Sequence, residues 1–244
     1  MVGSMTEGAP TLSLVVLCYA AGEFTREFTT QTLKMMQDYS IEDFELILIG
    51  NYFEGSGDRT PEIVRELATT DPRIHFQAEL KQGMMGWDLR SGLHRARGKY
   101  IAFIDGDGQM PIDDVGRLFK FIATGDFDLV KTYRVTRSDG WHRRSLSNVY
   151  NLLFRSLFPG STARDMNSKP KMIRRAAFER MTLSSDGWFI DAEIMIEALH
   201  HSMKIGELPS EFRRLDRRSS FVSFGAIFEF MSNLFRFRFR EFFR

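Results

Sequence analysis

The sequence predicts an α/β domain, a mostly parallel sheet with helices on both faces, followed by an amphipathic helical appendage. Three observations predict it. Residues 12 to 133 alternate short β-branched runs with helix-length stretches, the rhythm of strands joined by crossover helices. After residue 133 that rhythm gives way to apolar residues at helical spacing with arginines among them. The chain then ends in FVSFGAIFEFMSNLFRFRFREFFR, which holds 9 of its 23 Phe in 24 residues and is too apolar for a linker.

In chain order, Leu12 to Tyr19, Phe44 to Gly50, Arg73 to Ala78, Lys99 to Asp105 and Phe127 to Tyr133 read as buried strands. Phe24 to Gln37, Pro61 to Thr69, Trp87 to Ala96 and Ile112 to Thr124 read as the helices between them. Pro61 falls in a first helical turn, where its missing N–H costs least. Trp141 to Phe158 keeps helical spacing through Leu146, Val149, Tyr150, Leu153 and Leu157. A polar loop, GSTARDMNSKPK, precedes a helix at Arg174 to Met181, a helix at WFIDAEIMIEALHHS and a strand at KIGELPSEF. In the tail, Phe224, Ile227, Phe228, Met231, Leu234 and Phe235 keep helical spacing, whereas FRFRFR alternates with period two and leaves a strand as the alternative there.

The 244 residues suit one large domain over 11–220, with residues 1–10 as a flexible leader and 221–244 as the tail. With 43% hydrophobic and 27% charged residues the chain is neither collagenous nor largely disordered. A single cysteine, Cys18, excludes an intrachain disulfide and points to a reducing compartment. No apolar run approaches the ~18 residues that cross a bilayer, and MVGSMTEGAP lacks the basic flank and apolar core of a signal peptide. The five His show no metal-ligand spacing with Cys18, and the Met read as core filler. The net charge of +1 conceals a division: residues 1–130 carry 20 acidic against 12 basic side chains, residues 131–244 carry 12 against 21.

The most informative string is KYIAFIDGDGQMP. A buried strand ends in Asp105, Gly106 turns the chain, and Asp107 follows at the carboxyl edge where open α/β sheets bind ligands. With the Gln109 amide these carboxylates supply the hard oxygen ligands that Mg²⁺ or Mn²⁺ accepts while also holding phosphate oxygens. Asp191 and Glu193, spaced D-x-E at a helix start, are the candidates for a general base, which a neutral hydroxyl acceptor needs. A phosphate acceptor is already anionic, and the same acids are then helix-capping or loop-positioning groups.

IDGDGQMP resembles the D-x-D-x-Q-x-P segment of the family 2 glycosyltransferases with the GT-A fold, a Rossmann-like architecture, and in particular the dolichyl-phosphate mannose synthase-like branch that glycosylates polyprenyl phosphates. The likeness runs from about Leu12 to Ser220 through Tyr19, DRTPEIV, KQGMMGWDLRSGL, Asp165 before SKPK, and FIDAEIM…KIGELPSEF. It implies that Asp105, Asp107 and Gln109 meet the divalent ion and that Asp105 meets the donor ribose. It implies donor contacts from Tyr19, from Glu23 in place of the family's Glu, from Asn51 where the family has the base-reading Asp, and from Asp88 in the glycine-bearing segment. Arg134 and Arg144 match arginines near the acceptor phosphate, which a guanidinium fork suits. Arg217 and Arg218 resemble the D-R on a loop over the diphosphate, and Asp165 either anchors the acceptor loop or takes part in the chemistry.

The implied reaction moves a sugar from a nucleotide diphosphate-sugar to a polyprenyl phosphate, with inversion and with Mg²⁺ or Mn²⁺. The basic, Phe-rich end implies a peripheral seat on an anionic membrane surface at the cytoplasmic face. No nucleic-acid partner is expected, and an oligomer is left open. The alternatives are a saccharide hydroxyl acceptor with Asp191 or Glu193 as base, and a non-catalytic membrane-associated relative.

Overall fold

The computed structural model describes residues 8–136, 152–160, 163–212 and 231–239. Seven strands among them form one sheet: β1 (Leu12–Leu17), β2 (Phe44–Ile49), β3 (Ile74–Gln77), β4 (Tyr100–Asp105), β5 (Leu129–Thr136), β6 (Lys171–Arg174) and β7 (Ile205–Glu211), in the order β3-β2-β1-β4-β6-β5-β7. β1 pairs in parallel with β2 and β4, β2 with β3, and β5 with β7, while β6 runs antiparallel between β4 and β5.

Helices cover both faces because the strands are apolar on both, and alternation along each strand divides the core in two. Val15, Leu17, Ile47, Ile49, Ile101 and Phe103 face one layer. It contains α3 (Met85–Arg95), a helical segment over 152–157 (α5), α7 (Ile190–His200) and a helix over 231–239 (α8). Leu14, Val16, Leu46, Leu48, Ala102 and Ile104 face the other, with α1 (Phe24–Asp38), α2 (Thr60–Ala68) and α4 (Asp113–Thr124). The chain therefore leaves β1 in one direction for β2 and β3 and returns on its other side as β4. The crevice at such a reversal of strand order lies at the strands' carboxyl ends, and here Leu17 of β1 and Asp105 of β4 are register partners at it.

One expectation is corrected, and of the two readings of the tail's end the helical one is observed over the described residues. The polar loop GSTARDMNSKPK does not run on into a helix at Arg174 to Met181: Lys171–Arg174 is strand β6, and only one helical turn, α6 (Arg175–Phe178), follows. Charged Lys171 disguises the strand, yet it is fully buried beside apolar Met172 and Ile173. In the tail, the described FRFRF stretch is helical rather than extended. Leu234 and Phe237, three residues apart, pack into the core, with Phe237 ring to ring against Phe189 at 5.0 Å, so Phe235 faces outward instead of joining the buried stripe. The boundary expected at 220–221 lies outside the described residues, as does most of the Trp141 to Phe158 segment.

Candidate active site

Three turns meet at the crevice, after β1, β2 and β4. The turn after β1 is closed by Gly22, whose positive φ of 54° suits glycine, and its Gly22 N–H donates to Thr60 Oγ1 at 2.8 Å. Asp58 ties the β2 turn to it, accepting from Ala20 N–H at 3.1 Å and Thr60 N–H at 2.9 Å. Glu23 lies exposed at the start of α1 and pairs with Arg26 at 3.0 Å and Arg59 at 3.4 Å.

Beside this turn stands an aromatic and charged wall. Tyr19 and Phe53 meet edge to face with centroids 6.0 Å apart, and Lys81 Nζ lies 4.5 Å from the Tyr19 centroid. Lys81 also ion-pairs with buried Asp88. Asn51 is fully buried, and both ends of its amide are engaged: Nδ2 donates to Asp88 Oδ1 at 2.9 Å, and Oδ1 accepts from Glu79 N–H at 2.9 Å. Burial pushes the Asp88 carboxyl up, against the pull of Lys81 and Asn51.

At the end of β4, Gly106 donates to Leu17 O at 2.9 Å, and a Cβ there would stand 2.9 Å from Val16 Cγ1. Asp107 Oδ1 accepts from Gln109 N–H at 3.0 Å, with Gly108 at a φ of 75° between them. The half-exposed Asp105 carboxylate gives Oδ2 to Lys169 Nζ at 3.1 Å. Asp105, Asp107 and Gln109 thus bring a few hard oxygens to one turn. Among the described residues no group of three or more His, Cys, Asp or Glu stands ready to hold a metal. That donor set fits Mg²⁺ or Mn²⁺, which bind through one or two carboxylates plus substrate phosphates rather than in an all-protein cage.

Lys169 is placed by β5. Thr132 Oγ1 lies 2.9 Å from Ser168 Oγ and 2.7 Å from Lys169 O, and Thr132 N–H donates to Pro170 O at 3.2 Å. Further along β5, Arg134 gives Nε and Nη2 to the two oxygens of buried Asp165 at 2.7 and 3.0 Å, a bidentate fork. Asp165 therefore anchors its loop to Arg134. Arg144, Arg217 and Arg218 lie outside the described residues.

Both candidate bases are buried and engaged. Asp191 pairs with Lys169 at 3.0 Å and also with Lys171. Burial opposes its ionisation, but the two lysines outweigh that and hold the carboxyl below its usual range, which makes it a weak base. Glu193 Oε1 accepts from Ser184 N–H at 2.9 Å and Ser184 Oγ at 2.8 Å, and Oε2 from Ser185 N–H at 2.8 Å. The loop it holds docks the glycine-bearing segment: Met84 N–H donates to Asp186 O at 2.8 Å and Gly86 N–H to Gly187 O at 2.9 Å.

Sequence patterns missed Lys81, Lys169 and Lys171, whose partners are brought by the fold. Lys169 and Asp105 are 64 residues apart.

Residues 13–182 match the family model described as Glycosyl transferase family 2. An undecaprenyl-phosphate 4-deoxy-4-formamido-L-arabinose transferase of Pectobacterium carotovorum is 28% identical over 183 residues, which cover 74% of this chain and 52% of the relative. A dolichyl-phosphate beta-glucosyltransferase of Trichomonas vaginalis is 25% identical over 221 residues, covering 84% of this chain and 66% of that one. The chain spans about half the length of the first of these curated relatives. Among solved structures, glucosyl-3-phosphoglycerate synthase from Mycobacterium tuberculosis in complex with Mn²⁺, UDP-glucose and phosphoglyceric acid shares the fold, with a TM-score of 0.65 at 20% identity over 94% of this chain and 79% of that one.

Proposed function

Because the chain belongs to glycosyl transferase family 2, we propose that it moves a sugar, with inversion, from a nucleotide diphosphate-sugar to a polyprenyl phosphate at the cytoplasmic face of a membrane. The observation that carries this reading is the engagement of Asp191 and Glu193. One is neutralised by two lysines and the other is buried and held by three hydrogen bonds from a loop, which leaves neither suited to deprotonate a hydroxyl. A phosphate acceptor needs no base. The names of the two curated relatives support the same acceptor class.

In this reading Tyr19, Phe53 and Lys81 receive the nucleotide base, and Asn51 orients Asp88 beside it. Glu23 steadies the rim of that pocket. Asp105 takes the ribose, while Asp107 and Gln109 would hold Mg²⁺ or Mn²⁺ with it. When bound, the ion neutralises charge that builds on the leaving diphosphate. Arg134, held in orientation by Asp165, and Arg144 receive the acceptor phosphate, and Arg217 and Arg218 lie over the donor diphosphate. Leu152, Phe235 and Phe239 are exposed apolar side chains that suit an acyl boundary, with Arg236 and Arg238 beside them for anionic head groups. No helix among the described residues is long and apolar enough to cross a membrane.

Asp107→Ala tests the site. Turnover and Mn²⁺-dependent binding of the nucleotide, followed by calorimetry, should both be lost; a variant with full activity would contradict the assignment.

A further inference from the structure

Lys169 carries a charge that the proposed reaction leaves without a role. Its side chain is 5% exposed, and its Nζ meets Asp105 Oδ2 at 3.1 Å, Asp191 Oδ2 at 3.0 Å and Met85 Sδ at 3.1 Å. Three partners use all three N–H donors of an ammonium. Lys171 takes the other oxygen of Asp191, so Asp105, Lys169, Asp191 and Lys171 form a chain of alternating sign that runs from the crevice to the core. A divalent ion arriving on the half-exposed Asp105 meets a cation that buried Lys169 holds on the same carboxylate, and the two like charges repel at close range. The described residues offer no third acidic or imidazole ligand to offset it. A diphosphate supplies what is missing, both negative charge and oxygen ligands.

We propose that Lys169 is a positioning residue that fixes Asp105 and keeps the Asp105–Asp107 pair from loading a divalent ion by itself, so that the ion is taken up together with the donor diphosphate. This rests on the assignment of the ion to Asp105 and Asp107. Met85, at the start of α3, links the same ammonium to the glycine-bearing segment, so removal of Lys169 also loosens that side of the donor pocket.

The test is Mn²⁺ binding to the full chain, read by electron paramagnetic resonance of the free ion and by calorimetry, without sugar donor. Wild-type protein should bind Mn²⁺ alone at least tenfold more weakly than in the best of separate arms containing UDP, GDP, CDP, ADP or dTDP. Equal affinity with and without nucleotide would overturn the proposal. Lys169→Met should bind Mn²⁺ alone about tenfold more tightly than wild type, and Lys169→Arg, which keeps the charge, should restore the weak binding. A purely structural role would lower the melting temperature and leave Mn²⁺ affinity unchanged, which would also overturn it. If Lys169→Met does not fold, Lys169→Gln removes the same charge with a polar group in place, and the wild-type comparison needs no variant. Asp107→Ala separates the two levels: loss of Mn²⁺-dependent nucleotide binding there, with no gain in Lys169→Met, refutes the role of Lys169 alone. Unchanged binding in Asp107→Ala refutes the ion site itself.

Discussion

Lys131, Lys169 and Lys171 are all buried, and Lys131 and Lys171 are register partners across β5 and β6. Burying charge is costly unless it is paired, and breaking such a pair by removing one partner costs more than the pair contributes. Lys131 has Glu207 at 3.1 Å, and Lys171 has Asp191. Burial pulls Lys171 down to about 8 from 10.5, with Asp191 opposing and Lys131 and Lys169 adding to the fall. Between those two values the unfolded chain holds a proton that the folded one has released, so this group's contribution to stability grows as pH rises through that window. The difference in unfolding free energy between wild type and Lys171→Met, from urea titrations at pH 8, 9 and 10, should therefore shift in favour of wild type with rising pH. A difference that stays constant or falls would contradict it. At this scale the sequence discloses Asp105, Asp107 and Gln109 because their chemistry is packed into five residues. It does not disclose Lys169, which sits in a polar string that reads as loop and meets its carboxylates only when β6 enters the sheet beside β4. Asn51 was legible as a residue at the β2 turn but not as one whose amide is committed to Asp88 and Glu79.

α7 acts as the frame for the loop that docks on the start of α3. Glu193 and Glu197, one turn apart and both fully buried, hold successive parts of the preceding loop, with Glu197 Oε2 accepting from Thr182 N–H at 2.9 Å. Glu193→Gln replaces an acceptor with a donor opposite backbone N–H groups, so it should lower the melting temperature and raise KM for the donor. A fall in kcat of a thousandfold with KM and melting temperature intact would instead identify Glu193 as a base. The partner of that loop is the start of α3, where a Cβ on Gly86 would lie 2.3 Å from Ser185 O and 2.6 Å from Gly187 O. Gly86→Ala should cost about 1–3 kcal/mol, the usual range for overpacking, measured by denaturant unfolding. Unchanged stability would mean that the two segments part at no cost. Element by element, the first half of the chain is readable because each strand and helix has its own periodicity. Strand β6 is not, since four residues bounded by lysine and arginine carry no period of their own and become a strand only through β4 and β5.

Over the whole molecule, the division of charge between the two halves corresponds to a division of labour in the proposed reaction, with the carboxylates of the ion site in the first and the phosphate-facing arginines in the second. The carboxyl-terminal helix α8 belongs to both the core and the surface. Leu234 and Phe237 are buried against the α7 side of the sheet, while Phe235 and Phe239 are exposed. Leu234→Ala should therefore cost about 2–5 kcal/mol of stability, measured by thermal or chemical unfolding. The pair Phe235→Ser and Phe239→Ser should leave stability nearly unchanged and reduce sedimentation with anionic liposomes. Unchanged sedimentation would contradict the interfacial role. The sequence made the amphipathic character of the tail plain, but which Phe turn inward depends on Phe189 of the core. Transfer to a lipid phosphate is read most directly by incubating the full chain with Mn²⁺, a radiolabelled nucleotide diphosphate-sugar and either undecaprenyl phosphate or soluble saccharides. Label should move into the organic phase only with the polyprenyl phosphate present and only with Asp107 intact. Labelled product confined to the aqueous phase, formed on a saccharide hydroxyl, would contradict it.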